Sequence, residues 1–434
     1  MVRKPWVALS SFLILNVLSV FCCSSAFSLG SGGFRNEVVD AEAAGKGFSF
    51  AAQADAPSAV QYNPAGLTQL KGSYVSLAYM VEAPRFECDS TATGNVVQMQ
   101  KQTFFLPSMF YVSNFKSDNF TFGFGMTSPY GLGTDWASDS FARFQSEESD
   151  VVMKNFNPTV AYKVSDGLSI GAGLDYFTAD VSKHKRIAAS LSDNAGDFLL
   201  KGDDESWGYN FGLLLVSLNT KHRIGVSYRS EINLNYTGKV SLDNLNATGQ
   251  GIFGGNSTYT TAMESKSTIP RSLAVGYAYK PNTKWTIETD VEWTGWSCVE
   301  EEVVRYPDEK NTLRLSTLSH EVPVSKDWRD VYAYGIGAEY KATDKLDLRC
   351  GFLYEQTPVP SANFETALPD SDKYGITLGL GYLFKDVQID TSYAFLKYKD
   401  RDVTNDVGAA SGANLDGKYR AYVNIVGVSF TYKY

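Results

Sequence analysis

The alternation of side chains along this 434-residue chain predicts an all-β protein, a transmembrane antiparallel β-barrel of about fourteen strands with an N-terminal plug, or hatch, inside its lumen. Three observations predict it. From Ser73 to the last residue, greasy positions alternate with small or polar ones at period two. The connections between these runs switch regularly between tight turns and long loops. The segment ahead of the first run is too apolar for a solvated tail and too broken for a strand.

Composition agrees with that class. Tyrosine and phenylalanine are abundant and glycine is frequent, while mean hydropathy is slightly negative, which excludes a bundle of apolar membrane helices but suits alternating strands. A formal net charge of -9 argues against nucleic acid as a partner. Residues 1–26 read as an export signal: Arg3 and Lys4, an apolar run from Trp6 through Phe21, then the small residues Ser24, Ser25 and Ala26, after which cleavage is placed. Three thiols then remain, Cys88, Cys298 and Cys350. Cys350 falls on an apolar strand face, so Cys88 with Cys298 is the only disulfide to consider.

Residues 27–72 form the expected hatch; alanine and glycine dominate, and the stretch ends in Ala54-Asp-Ala-Pro-Ser-Ala-Val-Gln-Tyr-Asn-Pro-Ala-Gly66. A disordered periplasmic arm is the alternative. The barrel occupies residues 73–434, with strands near 73–83, 101–113, 118–127, 149–163, 167–181, 205–218, 221–236, 264–280, 283–297, 328–341, 345–355, 372–384, 387–399 and 418–434. In the third, Phe120, Phe122, Phe124 and Met126 fall on one side and Thr121, Gly123, Gly125 and Thr127 on the other, the arrangement of a lipid-facing row over a small-residue lumen. Its glycines and Pro129 weaken strand pairing, so a gap in the wall is expected there. Tight turns at 114–117, 165–166, 219–220, 281–282, 342–344 and 385–386 alternate with long loops at 84–100, 129–148, 182–204, 238–263, 298–327, 356–371 and 400–417. Short periplasmic turns opposite long external loops are the asymmetry of an outer-membrane barrel.

Several stretches in order resemble the FadL transporters, which carry long-chain fatty acids and other hydrophobic compounds across the outer membrane. They are Asn63-Pro64-Ala65, Ser128-Pro-Tyr-Gly-Leu-Gly, Asn157-Pro-Thr-Val-Ala-Tyr, Tyr228-Arg-Ser-Glu, Trp293-Thr-Gly-Trp, Arg329-Asp-Val-Tyr and Thr357-Pro-Val-Pro. The resemblance implies a fourteen-stranded barrel closed by a hatch, with a kinked third strand that opens a lateral window. Ligand rests on an apolar surface between external loops, passes to a buried pocket and leaves sideways into the membrane. On this chain it implies a hatch motif at Asn63, Pro64 and Ala65, a kink at Gly123 and Gly125, and capture loops at 182–204 and 238–263. Glu355 stands where the family has an acidic residue near the hatch.

Phe253, with Phe198, Leu199 and Leu200, offers the apolar landing surface; loop-to-loop packing is the plainer reading of these residues. Lys183, Lys185 and Arg186, or Lys326 and Arg329, are placed to hold a carboxylate, or else form a basic rim that meets lipopolysaccharide phosphates. The partners expected are a hydrophobic small molecule such as a fatty acid, together with outer-membrane lipid and lipopolysaccharide, around a monomer without cofactor or metal. Aromatic hydrocarbons by the same route, a diffusion porin, and an outer-membrane acyl hydrolase are the alternatives. The last would use Ser182 near His184 or Ser319 beside His320. Gly249-Gln-Gly-Ile-Phe-Gly254 has dinucleotide-binding spacing but lies in a loop with no strand before it, and the three histidines are scattered.

Overall fold

The computed structural model describes residues 33–36, 38–187, 196–318 and 324–434; the export signal assigned to 1–26 and the Ser319 and His320 pair lie outside the described residues. Fourteen antiparallel strands close into one barrel. They are β1 (Ser73–Ser90), β2 (Phe104–Ser113), β3 in two pieces (Phe120–Thr127 and Gly131–Asp135), β4 (Glu148–Ser165), β5 (Leu168–Arg186), β6 (Asp197–Val216) and β7 in two pieces (His222–Arg229 and Ile232–Asp243). β8 is also in two pieces (Tyr259–Ile269 and Ser272–Tyr279), followed by β9 (Trp285–Thr294), β10 (Val331–Lys341), β11 (Leu346–Glu355), β12 (Lys373–Phe384), β13 (Val387–Tyr398) and β14 (Gly417–Lys433). The seam is β1 against β14, in register from Tyr74 opposite Lys433 to Ser90 opposite Gly417, so the sheet has no free first or last edge.

Period two sets the faces. Ile376 and Leu378 are 62% and 57% exposed, while Thr377 between them is fully buried against the lumen contents. The outward row of β3 likewise starts with the exposed Phe120 and Phe122, whose neighbours Thr121 and Gly123 are buried. Aromatic pairs mark both rims of the apolar band: Trp285 with Tyr340 at the end of the tight turns, and Tyr176 with Trp207 at the other, each 4.7 Å between ring centroids. Among the described residues no helix is long and apolar enough to cross a membrane.

Several strands outrun the sequence reading. β1 continues to Ser90 and returns through the ribbon Asn95–Gln98, and β5 and β6 extend to Arg186 and from Asp197, so Phe198, Leu199 and Leu200 stand on a strand instead of in a loop. Above the bilayer a strand needs no apolar outer face, so the ladder persists after the alternation fades. The Cys88 with Cys298 disulfide does not form: all three described cysteines are free, with Cys88 buried inside β1 and Cys298 in the external loop after Trp296.

Candidate functional site

Residues 38–70 fold as short helical turns inside the ring of strands, with Ala41, Ala52, Ala54, Ala59 and Leu67 fully buried. Small side chains are required because the wall itself is only glycine-deep at this level. A Cβ on Gly171 would stand 2.5 Å from the Pro64 carbonyl carbon, and one on Gly337 2.7 Å from Lys46 Cβ. The hatch backbone is held by lumen carboxylates. Asp290 accepts from the Phe50 and Ala51 N–H groups at 2.8 and 2.9 Å, and Glu288 from Ala52 and Gln53 at 2.7 and 3.1 Å. Four successive N–H donors thus form an anion-binding concavity filled from the wall. Asn63 accepts from the Ala65 N–H at 3.1 Å, which caps the turn Pro64–Gln69, while its amide donates to Ala51 O at 2.7 Å and to Leu213 O of β6 at 3.1 Å.

The wall is interrupted in β3. Its first piece pairs with β2 only from Met109 opposite Met126 to Ser113 opposite Phe122, and its second piece pairs with β4 alone. Residues 105–108 of β2 therefore have no ladder partner on this side, where the register would place Thr127–Tyr130, and beyond the gap the Gln100 N–H donates to Asp135 O at 2.8 Å. At the break the backbone turns inward and is taken up by the chain just before the hatch. Asn36 N–H donates to Pro129 O at 2.7 Å, and Gly131 N–H to Phe34 O at 2.9 Å. Arg35 between them pairs with Glu292 and donates to Thr294 Oγ1 at 2.9 Å, both on β9, so this segment spans the lumen from β9 to β3.

Two cavities lie above the hatch. The inner one, about 510 Å³, is bounded by Phe34, Leu132, Met153, Trp328, Lys183 and Lys326 among others. The outer one, about 380 Å³, sits between external loops against Phe198, Leu242, Phe253, Tyr306 and Leu318. Both fall in the size range of small-molecule pockets.

Residues 22–434 match the model of the outer membrane protein transport proteins, OMPP1/FadL/TodX. The chain belongs to this family. It is therefore a multi-pass β-barrel of the bacterial outer membrane, in a family of transporters of hydrophobic compounds. It is 25% identical to the long-chain fatty acid transport protein of Escherichia coli O6:H1, over 93% of this chain and 95% of that one. Among solved structures it resembles a FadL homologue from Pseudomonas aeruginosa, with a TM-score of 0.80 and 19% identity over 93% of this chain and all of that one. It also resembles the Ralstonia pickettii toluene transporter TbuX, with a TM-score of 0.68 and 18% identity over 94% and 100% of the two chains. At these identities the two structures speak for the fold.

Within this FadL/TodX frame the predicted site residues separate. Phe198, Leu200 and Phe253 meet in one buried cluster on the outer cavity, with the Phe253 ring tilted against Tyr259 at 4.9 Å between centroids. Leu199 does not join them, since neighbours on a strand point to opposite faces. Lys183 borders both cavities, and Lys185 lies 5.5 Å over the Phe198 ring. Arg186 lines the outer cavity but is committed to Glu147 and Asp197, at 3.2 and 2.5 Å. Arg329 is exposed, borders neither cavity, and donates to Thr357 O at 3.3 Å.

Lys326 is buried on the inner cavity between Glu302, at 2.9 Å, and Glu365. Burial alone would lower its pKa, but these two carboxylates together raise it; in turn Lys326, then Lys183, holds Glu302 well below the usual carboxylate range. Gly123 and Gly125 are not the break. Both are paired on each side, with Val112 and Thr159 and with Phe110 and Asn157, and their missing side chains make room for Val60, which a Cβ would approach to 2.7 and 2.9 Å. Glu355 faces the hatch level but pairs with Lys373 of β12 at 3.3 Å; Glu288 and Asp290 carry the hatch hydrogen bonds instead. Sequence reasoning missed Arg35, Glu302 and the turn Thr312–Leu318 under the outer cavity; only the last had a signal, in the spacing of Leu313, Leu315 and Leu318.

Proposed function

We propose that this protein takes up long-chain fatty acids as a monomer set among outer-membrane lipid and lipopolysaccharide. The acid settles with its chain on Phe198, Leu200 and Phe253 and its carboxylate near Lys183, moves to the inner cavity, and leaves through the unpaired flank between β2 and β3 into the membrane. The observation that carries this reading is the missing ladder opposite residues 105–108, beside an apolar cavity that borders a lysine. Among the described residues no carboxylate lies within ion-pair reach of Lys183, so it is available to an anion. Each methylene kept out of water is worth about 0.8 kcal/mol, so a side exit into lipid avoids repeated rehydration.

Uptake of radiolabelled oleate by cells tests the route. Deleting Ser128, Pro129 and Tyr130 to let β3 run on past β2 is expected to abolish uptake while the purified barrel keeps its heat-modifiable mobility. Undiminished uptake by a folded deletion variant overturns the lateral route.

An aromatic hydrocarbon is favoured by one feature, the Phe34 and Trp328 rings on the inner cavity; toluene competing with oleate for uptake supports it. For acyl hydrolysis the geometry gives little. The His184 ring is held by Glu147 at 2.8 Å, and among the described residues no hydrogen bond joins it to Ser182.

A further inference from the structure

Four side chains, Lys183, Leu200, Glu302 and Val304, border both cavities and so form the septum between them. Two are apolar and two carry opposite charge. Glu302 stands on a two-residue ribbon, Glu301–Glu302 against Val324–Ser325, and reaches Lys326 at 2.9 Å. Lys326 is also bonded to Glu365. The two carboxylates are not equally free to leave: the Glu302 side chain is 32% exposed and that of Glu365 only 9%.

At the septum Lys183 and Lys326 stand against Glu302 and Glu365, with Lys185 a further cation acting on Glu302. A ligand carboxylate entering the inner cavity must share Lys326 with two like charges in a medium where their repulsion is poorly screened. Glu302 is the one that can turn out to water. A neutral ligand offers nothing to replace it.

We propose that Glu302 is a charge-exchange gate between the two cavities: an incoming carboxylate, first held near Lys183, takes the place of Glu302 on Lys326, so that Glu302 competes with an anionic ligand for this lysine and leaves a neutral amphiphile unaffected. The inference rests on the fatty-acid reading above and names the residue that competes with the acid. Glu302 acts on the affinity for the anion and not on the path, since the flank exit lies elsewhere in the wall.

Oleate and its neutral counterpart oleyl alcohol, titrated into purified full-length protein in detergent, test the gate. E302Q removes the competing charge with little change of shape, so oleate should bind at least about tenfold tighter, the size of one partly buried charge contact. Oleyl alcohol should stay within about twofold, and K183Q should weaken oleate alone. Equal shifts for both ligands, or none for oleate, in an E302Q protein of unchanged circular dichroism overturn the gate while the uptake reading stands. Wild-type protein that binds neither ligand overturns both.

Discussion

Glu288 and Asp290 between them accept four consecutive hatch N–H groups, and a buried N–H left without its acceptor costs about 1–3 kcal/mol. The double change E288A with D290A orphans all four donors, so the hatch should loosen; raised ion conductance in planar bilayers and new protease cuts within residues 38–70 check this. The amide pair E288Q with D290N keeps an acceptor at each site and should leak less. Gly171→Val should cost about 1–3 kcal/mol, because its Cβ meets the Pro64 backbone and only the hatch can yield, readable as a lower temperature of heat modification. Glu355→Ala, by contrast, removes a partner of the buried Lys373 and should weaken the join of β11 and β12 without raising conductance. The acidity of Glu288, Asp290 and Glu355 was legible in the sequence. Which of them held the hatch was not, because all three stand on inward strand positions of equal pattern.

β3 shows what a strand pattern conceals. Gly123, Gly125 and Pro129 all announce weak pairing, yet only the stretch from Ser128 to Tyr130 departs from the ladder, because the chain at Phe34 to Asn36 replaces the lost bonds there. The glycines stay paired and serve the hatch instead. In the external ribbon, Glu302 has its pKa lowered by Lys326 and then Lys183, so its stabilising contribution is complete above the ordinary carboxylate value of 4.5 and is lost as pH falls through its lower folded value. Lys326 has its pKa raised by Glu302 and Glu365 against the pull of burial, so its share is complete below the ordinary ammonium value of 10.5 and is lost only above its raised one. Protection from hydrogen exchange over residues 299–306, taken relative to the intrinsic rate at each pH, should therefore be flat between about pH 5 and 9 and fall below about pH 4. Faster opening already at pH 6 would contradict this pairing.

The whole molecule is a ring of strands, interrupted between β2 and β3, around a filled lumen. Its conductance in planar bilayers should be close to zero, in contrast with a diffusion porin, because hatch and wall meet at backbone distance around much of the ring. Strand number, inside-outside sense and the alternation of turns with loops were all legible in the sequence, since lipid on one side and a glycine-seated hatch on the other impose a period that survives in any window. Strand ends were less so. β1, β5 and β6 rise past the bilayer, where no apolar face is required and the pattern stops while hydrogen bonding continues.

The sequence by itself determined the barrel and the membrane that surrounds it, because both follow from local alternation and composition. Tertiary structure alone decided where the ladder breaks and which charges pair. Lys326 finds Glu302 and Glu365, Arg35 finds Glu292, and the break in β3 is closed by residues near the N-terminus. Such partners stand far apart along the chain, and a charge or a backbone donor carries no local mark of which distant group neutralises it.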